Sequence, residues 1–425
     1  MRIGQGVVAV MCQVRIPVET IRIPHRQRQH AKQLIKVRQA RRMAMNQLML
    51  QRQIPGRQFA APEPAARQLM HHFALLRTED VLLQSIDLAV AAEELGADGA
   101  YFRVHHFARQ LSSPFPLLAA VGAKTSRIEI GTGVIDMRYE NPLYMAEDAG
   151  AADLIANGRL QLGLSRGSPE QVIEGYRYFG FNPREGETDA DMGRRHTEEL
   201  LEVLRGEGFA KPNPQPMFPN PPGLLRLEPY SEGLRERIWW GSGSNATSIW
   251  AAQLGMNLQS STLKDDETGE PFHVQQAKQI RAYKEAWQAA GHQRAPRVSV
   301  SRSIFALMND TDRAYFGRGG QEQDSVGFLD EKTRAIFGRS YAAEPEQLIK
   351  QLAQDEAIAE ADTLLLTIPN QLGVDYCAHV IDSILTHVAP ELGWPINPRP
   401  APTTAYPAHN NGRAAPLAGS SRAST

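Results

Sequence analysis

Seven short runs of apolar or small residues, each followed by a stretch with helical character, recur between residues 97 and 370. Glycine, proline, asparagine or serine bounds each run, as is typical of strands that are buried on both faces. Buried strands that alternate with helices predict a parallel sheet with helices on both sides. The predicted strands are Gly99–Val104, Arg127–Ile135, Arg159–Ser165, Arg237–Ser242, Met256–Ser261, Arg297–Leu307 and Thr363–Pro369.

Eight units of this kind close into a TIM (β/α)8-type barrel, which is the fold that we predict. Only seven units are evident, and the missing one is the first. Val7–Val14 has the composition of a strand, but it precedes the first predicted helix by about sixty residues, far more than a usual connection. Two possibilities stay open. Either Val7–Val14 is recruited across a long connection, or the barrel lacks its opening strand.

Helices are predicted between the strands, and two longer segments interrupt the repeat. The segment Lys211–Pro229 is rich in proline and asparagine, which argues against a regular element. Asn309–Glu344 is a second inserted segment, and its place on the substrate side of a barrel makes it a candidate lid. The predicted helices are Thr78–Leu95, Pro116–Thr125, Pro142–Ile155, Asp191–Arg205 and Ser248–Leu254.

The net charge of −1 conceals a strongly basic amino-terminal stretch. Residues 1–77 hold 14 Lys and Arg against 2 Asp and Glu, and they contain no serine. Three interpretations are open: a basic arm, a targeting peptide, or a stretch that a misplaced start or a frameshift added to the natural protein. We therefore expect an extension at 1–76, a barrel domain at 77–395 and a disordered tail at 396–425, where proline, alanine, serine and threonine dominate.

Composition narrows the class of protein. No apolar run approaches the roughly 18 residues of a membrane-spanning helix, so no membrane protein is predicted. The two cysteines, Cys12 and Cys377, provide no disulfide framework, which suggests a reducing, cytoplasmic location. No HExxH motif and no carboxylates with ligand spacing are present, so no metal site is predicted. The basic stretch lacks a repeating motif, and we predict no nucleic-acid partner.

Two polar clusters follow predicted strands. His105 and His106 come directly after the strand that ends at Val104, where a histidine can exchange protons near neutral pH. The structural alternative is that this pair caps a helix or packs against Phe107. Ser165, Arg166 and Gly167 end another strand, and a guanidinium beside free backbone N–H groups suits an anion such as phosphate. The alternative there is a helix cap with Arg166 in a salt bridge.

A third cluster, Gly241–Thr247, also joins a strand to a helix. Its small and hydroxylated residues can donate several hydrogen bonds to one phosphate. It is neither a P-loop, because no lysine follows in the required pattern, nor the dinucleotide-binding GxGxxG motif. Two anion sites at the same edge of a barrel suggest one phosphorylated cofactor held between loops.

Several blocks in the same order resemble the bacterial luciferase-like, flavin-dependent monooxygenases. The resemblance extends from about Arg77 to Trp394. The blocks are Glu94–Phe107, Arg127–Gly133, Asn141–Asp148, Gly158–Gly167, Trp240–Thr247 and Ala343–Ile349.

The resemblance implies reduced FMN at the carboxyl ends of the barrel strands. His105 would lie beside the flavin ring as the catalytic histidine. Ser165 stands where the family can have a flavin-adjacent cysteine, so thiol-dependent behaviour is not expected. A non-prolyl cis peptide would fall near Gly133–Val134. The FMN phosphate would be bound by Arg166, Gly243, Ser244 and Thr247.

The implied reaction is oxidation of a small organic substrate by O2 through a C4a-hydroperoxyflavin. A separate flavin reductase would supply FMNH2, and a homodimer is expected. We expect the substrate pocket to include the residues that follow the third strand, which are Asp136, Arg138 and Tyr139. Two alternatives are a deazaflavin-dependent, hydride-transferring dehydrogenase on the same barrel and a non-catalytic flavin-binding protein.

Overall fold

A computed structural model describes residues 10–15, 78–108, 111–167, 172–265, 268–317, 323–328, 334–369 and 372–397. Its strands are β1 (Val10–Arg15), β2 (Gly99–Phe102), β3 (Glu129–Thr132), β4 (Ile135–Asp136), β5 (Leu160–Ser165), β6 (Ile238–Ser242), β7 (Asn257–Ser260), β8 (Leu263–Lys264), β9 (Val298–Arg302), β10 (Ile304–Ala306), β11 (Ser325–Phe328), β12 (Arg334–Phe337), β13 (Tyr341–Ala343) and β14 (Thr363–Ile368).

The α-helices of the described residues are α1 (Thr78–Leu95), α2 (Pro114–Lys124), α3 (Pro142–Ile155), α4 (Asp189–Val203), α5 (Asn245–Gln253), α6 (Phe272–Ala289), α7 (Asp310–Phe316), α8 (Pro345–Leu352), α9 (Glu356–Glu360) and α10 (Val374–His387). Two 3-10 helices cover Gly175–Phe179 and Leu234–Arg237. In this part of the chain no helix is both long and apolar enough to cross a lipid bilayer.

Eight strands close into a barrel, as predicted. The strand order is β3-β2-β1-β14-β9-β7-β6-β5, and pairing of β3 with β5 completes the ring. The short strand β4 continues beyond β3 and pairs with the end of β5. Every neighbouring pair is parallel except the two that include β1.

Strand β1 answers the question of the opening strand and corrects one expectation. Its residues lie within the predicted Val7–Val14 run and extend one residue beyond it, so this run is recruited into the barrel. It runs antiparallel to both β14 and β2, whereas we predicted an all-parallel sheet. Reversal is tolerated because an antiparallel strand still satisfies the backbone groups of both neighbours and still alternates its side chains.

The alternation places one set of β1 side chains on each side of the barrel wall. Cys12 and Val14 join the core between strands and helices and are at most 1% exposed. Met11 points into the barrel, where it packs with Tyr101 and Leu365. The expected domain boundary at residue 77 therefore leaves out one barrel strand, and residues 1–9 and 16–77 lie outside the described residues.

The predicted strands are confirmed, with two of them divided. Arg127–Ile135 forms β3 and β4, which are separated at the Gly133–Val134 peptide. Arg297–Leu307 forms β9 and β10, because β10 leaves the barrel to pair with β13.

The five predicted helices are confirmed to within three residues at each end. Local capping explains why two of them start earlier than predicted: Thr188 and Asp191 form a capping box that starts α4, and Ser244 caps α5.

The two inserted segments differ in structure. Lys211–Pro229 contains neither helix nor strand, although Leu225 forms an isolated bridge with Ala210. The described parts of Asn309–Glu344 include α7 and a hairpin of β11 and β12, which is joined to β8 at the mouth of the barrel. The predicted tail lies outside the described residues from residue 398 onward.

Candidate active site

The strand register brings the predicted site residues to one rim of the barrel. Phe102 at the end of β2 pairs with Thr132 of β3, and Asp136 pairs with Ser165 of β5. Ser242 at the end of β6 pairs with Ser260. The loops that carry His105, Gly133, Arg166 and Gly243 therefore all leave the barrel at its carboxyl rim, where a barrel builds its site.

The peptide bond between Gly133 and Val134 is cis, as the resemblance implied. A Cβ atom at Gly133 would collide with Met11 Cε, so the missing side chain lets the end of Met11 pack closely against this peptide. Val134 in turn packs on Gly241, where an added Cβ would lie 3.0 Å from Val134 Cγ1. This part of the rim is closely packed from β1 through to β6.

His105 lies beyond β2 and is partly exposed. Its ring Nε2 is 3.2 Å from Arg103 Nη2. Its backbone N–H donates to the carbonyl of Leu111 at 2.9 Å, which fixes the main chain at this point. The histidine that the resemblance makes catalytic thus has a guanidinium as a close neighbour.

His106 is in a different environment and is only 6% exposed. Its ring stacks on Tyr139 with centroids 4.2 Å apart, and its Nε2 lies 4.0 Å from Glu140 Oε1. Burial, together with the negative charges of Asp136 and Asp148, raises the pKa of Glu140 to about 7. His106 therefore packs against aromatic rings, as the structural alternative expected, but these rings are Tyr139 and Phe179, whereas the alternative named Phe107. Its other neighbour, Glu140, has a pKa of about 7.

Three hydroxyl groups cluster at the start of α5. Thr247 Oγ1 lies 2.6 Å from Ser242 Oγ and 2.9 Å from Ser244 Oγ. Ser244 Oγ also accepts from the Thr247 N–H at 3.3 Å, as an N-cap does. Gln279 Nε2 supports the turn by donating to the Ser244 carbonyl at 2.9 Å. The hydroxyls are held together next to the first N–H groups of a helix, which have no acceptor within the helix.

Asp265 connects this turn to the second predicted cluster. Its backbone N–H donates to the Gly243 carbonyl at 3.3 Å, and its carboxylate lies 3.8 Å from Arg166 Nη2. Lys264, which is 1% exposed, donates from Nζ to Asn245 Oδ1 at 3.0 Å. The structure thus brings together Arg166 and the Gly243–Thr247 turn, and it places a lysine and an aspartate beside them.

Ser165 and Gly167 shape the loop that carries Arg166. Ser165 Oγ accepts from the Gly167 N–H at 3.0 Å. Gly167 has a φ of +83°, and a Cβ there would collide with the carboxylate of Asp136. The glycine is therefore required twice, by its backbone conformation and by the close approach of Asp136.

Asp136 and Arg138 form an ion pair next to this loop. Arg138 Nη2 donates to Asp136 Oδ2 at 2.7 Å, and Nη1 donates to Asp189 Oδ2 at 2.6 Å. Burial lowers the pKa of Arg138, but its hydrogen bonds to the two carboxylates outweigh that effect and raise it above its usual value. The guanidinium is already engaged by two acids, so it fixes α4 against the rim.

A cavity of about 730 Å³ lies beside this ion pair. Its wall consists of Arg138, Tyr139 and residues from the segments 172–177 and 183–189. Arg138 and Tyr139, two of the three residues assigned to the substrate pocket, thus line a cavity. The third, Asp136, accepts a hydrogen bond from Arg138. The assignment of these residues to a substrate remains a prediction.

Comparison with known proteins identifies the family. The profile of the family described as luciferase-like monooxygenase matches residues 65–316, which is more than half of the chain. The chain belongs to the luciferase-like monooxygenase family. The family resemblance of the sequence blocks is thereby confirmed.

Curated relatives match this chain over part of their own length. The uncharacterized protein YwcH of Bacillus subtilis is 28% identical over 55% of this chain and 64% of its own. The oxygenase component of the flavin-dependent trigonelline monooxygenase of Acinetobacter baylyi is 25% identical over 42% of this chain and 48% of its own. The chain thus spans between about half and just under two thirds of these relatives.

Solved structures share the fold of this luciferase-like protein. Monooxygenase RslO1 from Streptomyces bottropensis superposes with a TM-score of 0.55 at 18% identity, covering 75% of this chain and 95% of its own. The oxygenating constituent of 3,6-diketocamphane monooxygenase from Pseudomonas putida was solved in complex with FMN. It superposes with a TM-score of 0.54 at 17% identity, covering 75% of this chain and 94% of its own. An F420-dependent secondary alcohol dehydrogenase superposes with a TM-score of 0.50 at 15% identity, covering 75% of this chain and 96% of its own.

Four charged residues of the rim were not singled out from the sequence of this luciferase-like chain: Arg103, Glu140, Lys264 and Asp265. Each follows a barrel strand within a few residues, which is the same signal that pointed to His105. Their partners come from other loops, so their contacts could not be read from spacing along the chain.

Proposed function

We propose that this protein is a monooxygenase that uses reduced FMN and O2 to oxidise a small organic substrate. The observation that carries this proposal is that Arg166 and the Gly243–Thr247 turn meet at Asp265 on the carboxyl rim. This rim also carries His105 and the Gly133–Val134 cis peptide. Membership of the luciferase-like family supports the same assignment.

The donors at this point suit a phosphate group. The side chain of Arg166 is 47% exposed and its contact with Asp265 is long, at 3.8 Å, so the guanidinium is within reach of a ligand. The hydroxyls of Ser244 and Thr247 and the first N–H groups of α5 add neutral donors, and the helix dipole favours an anion there. The carboxylate of Asp265 opposes an anion, so it would have to give up Arg166 to the phosphate.

Each rim residue would have a distinct task. Reduced FMN, when bound, supplies the electrons with which O2 is activated for transfer of an oxygen atom. Arg166, Gly243, Ser244 and Thr247 would hold the phosphate, while Gly133, Ser165 and His105 would border the flavin ring. Water must be excluded from such a site. The hairpin of β11 and β12, which pairs with β8 at Lys264, is the proposed cover of the site.

Two other functions remain alternatives. The F420-dependent dehydrogenase shares the fold, so a deazaflavin-dependent hydride transfer by this chain is the second candidate. A non-catalytic flavin-binding protein is the third. The presence of both His105 and Arg166 on one rim favours catalysis over storage, because a storage site has no need of a histidine at the ring.

The proposed reaction requires partners. Because one relative is the oxygenase component of a flavin-dependent monooxygenase, we propose that a separate flavin reductase supplies FMNH2 to this protein as well. The other reactants are O2 and a small organic substrate held near Arg138 and Tyr139. We also propose a homodimer, which light scattering of the purified protein would reveal as twice the chain mass.

Rapid mixing with oxygen tests the proposed function. The protein is loaded with FMNH2 under anaerobic conditions and mixed with O2, and a second sample carries reduced F420. We expect the FMNH2 sample to form a transient absorbance that free FMNH2 does not give, while reduced F420 stays unoxidised. Reoxidation of FMNH2 at the rate of free flavin, together with hydride transfer from reduced F420 to a ketone, would instead establish the dehydrogenase.

A further inference from the structure

Arg103 and His105 lie on the same short segment beyond β2, two residues apart. Arg103 is exposed, and its Nη2 lies 3.2 Å from Nε2 of His105. The main chain of His105 is fixed independently by the hydrogen bond from its N–H to the Leu111 carbonyl. The contact between the two side chains is therefore made within this one segment.

The chemistry of the two groups determines how they can share a hydrogen. A guanidinium has five N–H donors and no acceptor, and it stays protonated in proteins. At 3.2 Å, Arg103 can only donate, so Nε2 of His105 must accept with its lone pair. An imidazole that accepts at Nε2 is neutral and carries its hydrogen on Nδ1.

The neighbouring histidine has the opposite kind of partner. His106 Nε2 faces the carboxyl group of Glu140 at 4.0 Å, and its ring is enclosed by Tyr139 and Phe179. A cation thus faces the first histidine and an acid faces the second. Arg103 thus presents a hydrogen-bond donor to the ring of His105, and Glu140 presents a carboxyl group to the ring of His106.

We propose that Arg103 is a positioning residue for His105, which it holds as the neutral tautomer with the hydrogen on Nδ1. His105 then serves the flavin site as a hydrogen-bond donor from Nδ1, and it is not a general base through Nε2. The use of that donor at the flavin rests on the proposed function, whereas the tautomer itself does not.

The tautomer can be measured directly on the flavin-free protein. Nitrogen-15 NMR of histidine-labelled protein separates protonated from unprotonated ring nitrogens, and His105→Ala identifies the signals of His105. We expect wild type to show a protonated Nδ1 and an unprotonated Nε2 at His105. Because Arg103→Ala removes this donor, it should shift the tautomer ratio severalfold toward Nε2–H.

Two further variants exclude a general structural effect. Arg103→Lys retains a donor without an acceptor and should keep most of the wild-type tautomer. Arg205→Ala removes another exposed arginine, which pairs with Glu202 in α4, and should leave the signals of His105 unchanged. An Nε2–H tautomer in wild type, or an unchanged ratio in Arg103→Ala, would overturn the inference. Failure of FMN to bind, measured separately, would count against the proposed function alone.

Discussion

At the scale of single residues, burial changes the titration of one carboxyl group on the rim, that of Glu140. Glu140 lies next to the cap of α3 with its side chain 19% exposed, beside His106 and near two other acids. Its surroundings favour the protonated carboxyl and raise its pKa from 4.5 to about 7. A carboxyl group with such a pKa changes its charge near neutral pH.

The raised pKa of Glu140 predicts a pH-dependent loss of stability. Between about pH 4.5 and pH 7 the folded protein retains a proton that the unfolded chain releases, so the free energy of unfolding falls as pH rises. Glu140→Gln does not titrate and should lack this loss. From low pH to pH 8, we expect the stability of the variant to rise relative to wild type by up to roughly 3 kcal/mol, measured by urea unfolding.

An exposed acid provides the control for this experiment. Glu202 has a side chain that is 66% exposed and pairs with Arg205 on the surface of α4. Glu202→Gln should follow the pH profile of wild type. The assigned environment of Glu140 would be wrong if both glutamine variants gave parallel profiles.

Sequence reasoning found the residues of the rim better than their contacts. His105, Ser165 and Arg166 could be located because they lie at the end of a predicted strand or directly after it, and strand ends converge in a barrel. The contact of Arg166 with Asp265 could not be predicted. Nor could the ion pairs that Arg138 forms with Asp136 and Asp189. Those pairs depend on loop conformations, which hydrophobic periodicity does not encode.

At the scale of elements, β1 is the strand on which closure of the barrel depends. It lies between β2 and β14 and supplies Val14 to the core on the helix side of the wall. Its composition suggested a strand, but its direction could not be predicted. An almost wholly apolar run fits a barrel wall in either direction, and only the connection would distinguish the two directions.

Substitution of Val14 tests whether β1 is part of the folded barrel. Val14 is 1% exposed, so Val14→Asp would bury an unpaired carboxylate and should reduce the free energy of unfolding by at least about 3 kcal/mol. Val14→Ala, which removes two methyl groups, should cost roughly 2 kcal/mol. Denaturant unfolding followed by circular dichroism measures both.

The adjacent Arg15 offers a matched control. Its side chain is 55% exposed and contacts Glu129 at the surface, so Arg15→Gln should change stability by less than about 1 kcal/mol. Wild-type stability in both Val14 variants would mean that β1 is not held between β2 and β14.

At the scale of the whole molecule, the barrel gathers distant segments at one end. The rim residues come from positions between 103 and 265, and the pairing of β8 with β12 adds the inserted segment to the same end. Seven of the eight barrel strands could be predicted from the sequence because each unit repeats one pattern, whereas the place of β1 was left open. The nature of the bound molecule did not follow from this pattern, because the fold serves FMN-containing and F420-dependent proteins alike.

The central claim is that this rim binds the phosphate of a flavin, and a comparison of FMN with riboflavin tests it most directly. Isothermal titration of wild type with each flavin, oxidised and reduced, should show saturable binding and a preference for FMN. Arg166→Met and Thr247→Val should each weaken FMN binding about tenfold or more and leave riboflavin binding unchanged, because only the phosphate contact is lost. No saturable binding of FMN in either redox state, or equal affinity for FMN and riboflavin in wild type, would contradict the account.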